Sequence, residues 1–165
     1  MIGAMREMDP GLTYSVSVTT RSPRNGEVNG VDYHFIGELE FKEKVKNHAF
    51  VEWAKVHDAY YGTLRETLEE SLTKGETVLL DIDVQGGMQI KSQMPESVLI
   101  FLHPPSFDAL KDRLEKRGTE SSRRIRRRLE VARDEIETGK KYNYHVINSH
   151  IQDTVREVIT IINRV

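Results

Sequence analysis

The stretch Thr77-Val78-Leu79-Leu80-Asp81-Ile82-Asp83 restricts the fold of this chain more than any other. It is a nearly continuous apolar run without polar alternation, the pattern of a strand covered on both faces. Such strands belong to parallel sheets, whose neighbouring strands are joined by crossovers long enough to hold a helix. Gln85-Gly86-Gly87 then leads into a helical segment to about Gln93, and Val98 to Leu102 is a second buried strand, closed by His103-Pro104-Pro105. In sheets of this kind ligands bind beyond the carboxyl ends of the strands, and Asp81 and Asp83 fall at such an end.

The remaining segments alternate in the same way. Met1, Met5 and Met8 share one helical face, stopped by Asp9-Pro10-Gly11, and Tyr14 to Val18 reads as one strand that carries Ser17 forward. Asp32 to Ile36 reads as a short strand, Glu38 to Lys46 as a helix, and Phe50 to His57 as a strand with Glu52 among Val51, Trp53 and Val56. Ala59 to Thr63 reads as a turn into a helix that ends at Lys74-Gly75. Ser106 caps a helix bearing Phe107, Leu110 and Leu114, and a polar loop over Arg117–Ser122 precedes a long helix with Ile125, Leu129, Ala132 and Ile136. Tyr144 to Ile147 is the last strand and Ile151 onwards an amphipathic last helix. The chain is α/β: residues 1–19 and 77–165 form the core, and residues 20–76 form a small α+β insertion.

A chain of 165 residues with net charge −2 has no global basic field for nucleic acid, so an anion site must be local. The absence of cysteine excludes thiol catalysis, thiolate zinc and disulfides, and no apolar run reaches the ~18 residues of a membrane span. A soluble cytoplasmic protein, bound to neither nucleic acid nor membrane, is the expectation. The local anion site is Arg21-Ser22-Pro23-Arg24-Asn25-Gly26, two arginines held between a proline and a glycine turn, with Tyr33 following. A guanidinium fork matches phosphate oxygens in pairs, which lysine cannot do. Each feature also has a plainer reading. The arginines could be solvated turn residues, Glu52 an edge charge that deters aggregation, and Asp81 and Asp83 helix caps. The run Arg123–Arg128 reads as a charged helix face rather than an RNA patch, and the histidines have no metal-ligand spacing.

Taken together, Ser17-Val18-Thr19-Thr20-Arg21-x-Pro23-Arg24-x-Gly26-Glu27-x-x-Gly30-x-Asp32-Tyr33, Phe50-Val51-Glu52-Trp53-Ala54, Tyr60-Tyr61-Gly62-Thr63, Leu80-Asp81-Ile82-Asp83-Val84-Gln85-Gly86 and Arg117-Gly118-Thr119 resemble the guanylate kinases, in order and at that family's spacing. The resemblance implies a P-loop-kinase-like parallel sheet with helices on both faces, a GMP-binding insertion and a helical lid at about 117–128. It implies transfer of a phosphoryl group from ATP to GMP with Mg²⁺. Arg21, Arg24, Tyr33 and Tyr61 would hold the GMP phosphate, and Glu52, with Ser17 and Thr63, would read guanine. Asp83, a GMP-binding residue, and Asp81 would sit near the phosphates, orienting a clamp arginine and water on Mg²⁺, with no direct protein ligand to the metal. Arg113, Arg117, Arg128 and Asn148 would serve ATP, and Arg21, Arg117, Arg128 and Asp81 would act in catalysis. The family also has a strand and a G-x-x-x-x-G-K-[ST] loop ahead of its first helix, and no such motif occurs in these 165 residues. The expectation is therefore a chain truncated at its N-terminus and of little activity alone, with an open slot in the sheet that a homodimer or strand-exchanged oligomer could fill. The alternative is a non-catalytic module of the same fold that binds GMP or a phosphopeptide.

Overall fold

The parallel pairing expected of the Thr77 run is present, although the paired strand is shorter than the apolar run. The computed structural model describes residues 1–116 and 122–165, and the chain divides into two compact units, residues 2–97 and residues 98–165 together with Met1. In the first unit, α1 (Ile2–Met8) leads into β1 (Leu12–Tyr14), which pairs in parallel with β6 (Thr77–Leu79). The ladder closes where the Ser15 amide donates to the Leu79 carbonyl at 3.1 Å, and Leu80 to Asp83 run on without regular structure. The apolar residues of that tail still reach the core: Leu80 and Ile82 pack with Val78 and Met94 around buried Val51, Leu68 and Ile90.

The single strand expected over Tyr14–Val18 is two strands. β1 ends at Tyr14, Ser15 to Ser17 lie outside any ladder, and β2 (Val18–Thr19) enters a second sheet. Alternation of side chains is the same for one strand or two, so only long-range pairing decides the break. The second sheet has the order β3-β2-β5-β4, with β3 (His34–Phe35) parallel to β2, and β5 (Ala59–Leu64) antiparallel to both β2 and β4 (Phe50–Val56).

Residues 59–63, expected to turn, are therefore a central strand. The turn is His57-Asp58, where His57 takes a positive φ of 55° of the kind hairpin turns favour. Tyr60 and Leu64 pack on the core around Val18, Phe41 and Phe50, which leaves Tyr61 and Thr63 for the opposite face. Phe41, on α2 (Glu38–Lys46), has no exposed surface and stacks on Phe50 at 4.5 Å and Tyr60 at 5.4 Å between ring centroids. Burial of such a ring contributes about 1.5–3 kcal/mol. The helices α3 (Arg65–Thr73) and α4 (Val84–Gln93) supply Leu68 and Ile90 to the second cluster.

The second unit has β7 (Ile100–His103) parallel to β8 (Tyr144–Ile147), with Ile100 opposite Tyr144. The expected cap forms: the Ser106 hydroxyl accepts the Ala109 amide at 3.0 Å at the start of α5 (Phe107–Lys116). Then come α6 (Ser122–Gly139) and, after β8, α7 (Ile151–Ile162), whose Val155 and Val158 are buried like Val146 of β8. Of the expected loop at 117–122, residues 117–121, with Arg117, lie outside the described residues, and Ser122 already belongs to α6.

Candidate functional site

The two threonines ahead of Arg21 fasten the loop that carries it. Thr19, fully buried, donates its hydroxyl to the Tyr60 carbonyl at 3.0 Å and accepts the Arg21 amide at 3.1 Å, while the Thr20 hydroxyl accepts the Tyr60 amide at 2.9 Å. From that anchor the Arg21 guanidinium lies 5.3 Å from the Tyr33 ring centroid and 5.7 Å from that of Phe35. The return loop to Tyr33 is fixed by its own polar residues: Asp32 accepts the Val28 amide at 2.7 Å and Asn29 accepts the Phe35 amide at 2.9 Å. Tyr33 and Tyr61 meet edge to face at 6.0 Å. Burial raises the Tyr33 pKa, with the Asp81 and Tyr61 charges adding to it and Arg21 opposing, so these groups share one neighbourhood. Arg24 is exposed at the turn.

Glu52 comes from β4 with only 3% of its surface exposed. A register shift between Phe50 and Glu52 re-aims the strand, so that Glu52 lies opposite Thr63 of β5. The Thr63 hydroxyl, fully buried, donates to Glu52 Oε1 at 2.6 Å. Burial pushes the Glu52 carboxyl pKa up; the Thr63 hydrogen bond opposes the rise and the nearby Asp83 charge adds to it. On the far side of the carboxylate is the first turn of α4. Asp83 is the helix cap, accepting the Gly86 amide at 2.8 Å, and a Cβ placed on Gly86 would run into the Glu52 carboxylate. Glycine is therefore required there by the close approach of the helix.

β4 is an edge strand, and α4 satisfies its outer groups. Gln89 Nε2 donates to the Trp53 carbonyl at 2.9 Å, and Gln93 Nε2 donates to that of Val51 at 2.6 Å, one on either side of Glu52. Side-chain amides thus take the place of a neighbouring strand and pin Glu52 against the helix.

Ser17 is buried, with its carbonyl accepting the His34 amide at 2.9 Å. Asp81 stays open to solvent, though desolvation by its neighbours raises its pKa. In the other unit, Arg113 Nη2 donates to the carbonyls of Asn148 at 2.8 Å and Ser149 at 3.3 Å, so two residues expected on the ATP side are joined. Arg128 lies on α6. Sequence reasoning passed over three participants. Tyr14 has its phenol pKa pushed up to about 12 by burial and then by the charges of Asp81 and Tyr33. It reads only as a strand residue, and no local signal marks it. Gln89 and Gln93 stand four apart on a helix, a spacing too common to single them out.

Tyr61 and Thr63 sit on one face of one strand, two residues and so about 6.8 Å apart. They span from a fixed arginine fork with two phenols to a buried acceptor-only carboxylate. That arrangement can hold a phosphate monoester at one end and a planar base with adjacent donors at the other, the chemistry of a nucleoside-monophosphate site. Comparison with known proteins agrees in class and narrows it. The guanylate kinase family model matches residues 5–165. The guanylate kinase of Caldanaerobacter subterraneus subsp. tengcongensis is 45% identical over 159 residues, 96% of this chain and 77% of its own length. That of Oceanobacillus iheyensis is 47% identical over 156 residues, 94% of this chain and 76% of its own. The crystal structure of guanylate kinase from Anaplasma phagocytophilum superposes with a TM-score of 0.83 at 34% identity, covering 99% of this chain and 79% of that one. The chain belongs to the guanylate kinase family and has its P-loop-kinase-like α/β fold.

Proposed function

We propose that this protein transfers the γ-phosphoryl group of ATP to GMP, giving GDP and ADP. The observation that carries the reading is the buried Glu52 carboxylate, held by Thr63 at 2.6 Å beside the capped start of α4. A carboxylate only accepts hydrogen bonds, and guanine offers two adjacent donors, N1–H and the 2-amino group. Adenine lacks that pair and would leave a desolvated charge unpaired. In this reading Ser17 and Thr63 complete base recognition, with Asp83 behind them, and Arg21, Arg24, Tyr33 and Tyr61 hold the phosphate, all but Asp83 and Ser17 within the insertion 20–76. Arg113, Arg117, Arg128 and Asn148 serve ATP from the core. Arg21, Arg117 and Arg128 stabilise charge on the transferring group and Asp81 orients a clamp arginine and water on Mg²⁺, in a reaction where positioning and electrostatics carry most of the catalysis.

Mg²⁺ fits the residues present as an ion held through water. Among the described residues no group of three or more His, Cys, Asp or Glu could hold a metal, and Mg²⁺ next to nucleotides is bound by one or two carboxylates, waters and substrate phosphates. Asp81, open to solvent, is the carboxylate available to its water shell, since one Asp83 oxygen is engaged by the Gly86 amide. Bound there with ATP, the ion would neutralise phosphate charge. No described helix is long and apolar enough to cross a membrane, and action on free nucleotides in the cytoplasm is part of the proposal.

Titration calorimetry tests the acceptor half. GMP should bind, AMP should bind at least ~100-fold more weakly, and both Glu52→Ala and Arg21→Ala should weaken GMP sharply. Binding of a phosphoserine peptide without binding of GMP would overturn the reading in favour of a phosphopeptide module. A coupled assay of ADP release tests the transfer itself: these 165 residues, which hold no G-x-x-x-x-G-K-[ST] loop, should by themselves turn over little, and robust turnover would overturn that expectation.

A further inference from the structure

Glu27 lies in the arginine loop, and none of the roles above uses it. Its carboxylate takes the outer edge of the Arg21 guanidinium: Nη1 donates to Oε2 at 2.9 Å and Nη2 to Oε1 at 2.8 Å. The other Nη1 hydrogen goes to the Ser22 carbonyl at 2.7 Å. Glu27 Oε2 also accepts the Arg24 amide at 2.7 Å, and the Glu27 amide donates to the Arg24 carbonyl at 3.1 Å. Gly26 makes that turn feasible with φ +88°, a conformation that side-chain-bearing residues rarely adopt. One carboxylate therefore joins the two arginine positions of the loop.

A guanidinium has five N–H donors, and it can present two parallel pairs, one between the Nη atoms and one between Nε and Nη2. Glu27 and Ser22 occupy the first pair and the outer Nη1 hydrogen. What remains is the Nε/Nη2 edge, a second fork, and the Tyr61 phenol is itself within hydrogen-bonding reach of the guanidinium and supports its charge. The ring faces of Tyr33 and Phe35 fix the plane. The side chains of Arg21 and Glu27 are 17% and 18% exposed, so the pair is less screened than an ordinary surface ion pair.

We propose that Glu27 is a positioning residue for the acceptor phosphate: it holds Arg21 by one edge and so presents the other edge, already oriented, to the phosphate of GMP. This rests on the GMP reading above. A phosphate arriving at a loose arginine would have to order that side chain first, and preorganisation removes this cost. The competing idea is that Glu27 occupies the clamp as a stand-in anion that the phosphate must displace. The two ideas differ in sign.

Calorimetry on the full chain with GMP and with guanosine separates them. Glu27→Gln keeps an acceptor for the Arg24 amide but turns an amide N–H or an uncharged oxygen toward Arg21. GMP affinity should fall at least about tenfold, equivalent to about 1.4 kcal/mol, while guanosine affinity stays within about twofold, because only the phosphate uses Arg21. Equal weakening of both ligands would mean a structural role only and would overturn the proposal. So would unchanged GMP binding, and tighter binding would identify Glu27 as a competitor. If the wild-type chain fails to prefer GMP over guanosine, the phosphate-clamp reading itself falls. A thermal melt of Glu27→Gln checks that the fold is intact, and Glu27→Asp, one methylene short of the reach from its backbone to both Arg21 and the Arg24 amide, should reproduce the GMP-specific loss.

Discussion

Replacing Glu52 by glutamine separates two consequences of one buried carboxylate. The side chain is 3% exposed, and its short bond from Thr63 leaves the remaining acceptor capacity for a ligand. Glutamine keeps an oxygen for Thr63 but places an amide N–H where guanine also has a donor. A hydrogen bond to a charged group contributes about 1.5–3 kcal/mol, so losing one and setting donor against donor should weaken GMP by about 2–4 kcal/mol, or roughly 30- to 1,000-fold. Stability should move the other way. Burial raises the Glu52 pKa above its ordinary 4.5, so the folded state holds that proton to higher pH than the unfolded chain does. Between the unfolded and folded values stability falls as pH rises, and above both the ionised group costs stability. Glutamine removes that cost. The variant should melt above wild type at pH 7, and the gap should close as pH falls toward 4.5. Calorimetry for GMP and thermal melts at the two pH values measure both effects. A variant that binds GMP within about threefold of wild type, or that melts lower at pH 7, would refute the reasoning.

Gly86→Ala sets helix propensity against geometry. Alanine favours a helix interior by about 1 kcal/mol over glycine, yet its methyl group would meet the Glu52 carboxylate, so overpacking of about 1–3 kcal/mol should win and GMP should bind more weakly. Urea unfolding that shows net stabilisation would contradict the close approach. His103 Nε2 lies 2.9 Å from His145 Nδ1 on the neighbouring strand, and burial, then His145, lowers the His103 pKa below 6.5. The unfolded chain therefore binds the proton first, and stability should fall as pH drops through about 6.5 toward the folded value. His103→Gln should flatten that part of a melting-temperature profile, and an unchanged profile would count against the assignment.

Much of this protein is legible along the chain. The helix at Glu38–Lys46 and the strand at Tyr144–Ile147 have the bounds expected of them, because periodicity and local stop signals act within a few residues. The arginine turn is in part a local object, built by Pro23, Gly26 and Glu27, whereas the hydroxyls of Thr19 and Thr20 fasten it to Tyr60 on a distant strand. What tertiary structure alone decided is which segments become neighbours. Nothing local distinguishes one strand over Tyr14–Val18 from two strands in different sheets, or reveals that Ala59–Leu64 is a central strand, because the partners lie tens of residues away. The same holds at the site. Glu52 could be named from its motif, but its burial comes from a shifted register, two glutamines on α4 and a glycine that lets the helix close in. The Thr77 run shows the division plainly: its apolar residues demanded a parallel strand covered on both faces, yet Thr77 is exposed, Val78 and Leu79 are only half-buried, and the ladder ends at Leu79 because β1 ends at Tyr14. Side-chain chemistry is written residue by residue, whereas pairing, register and desolvation are properties of pairs that only the folded chain brings together.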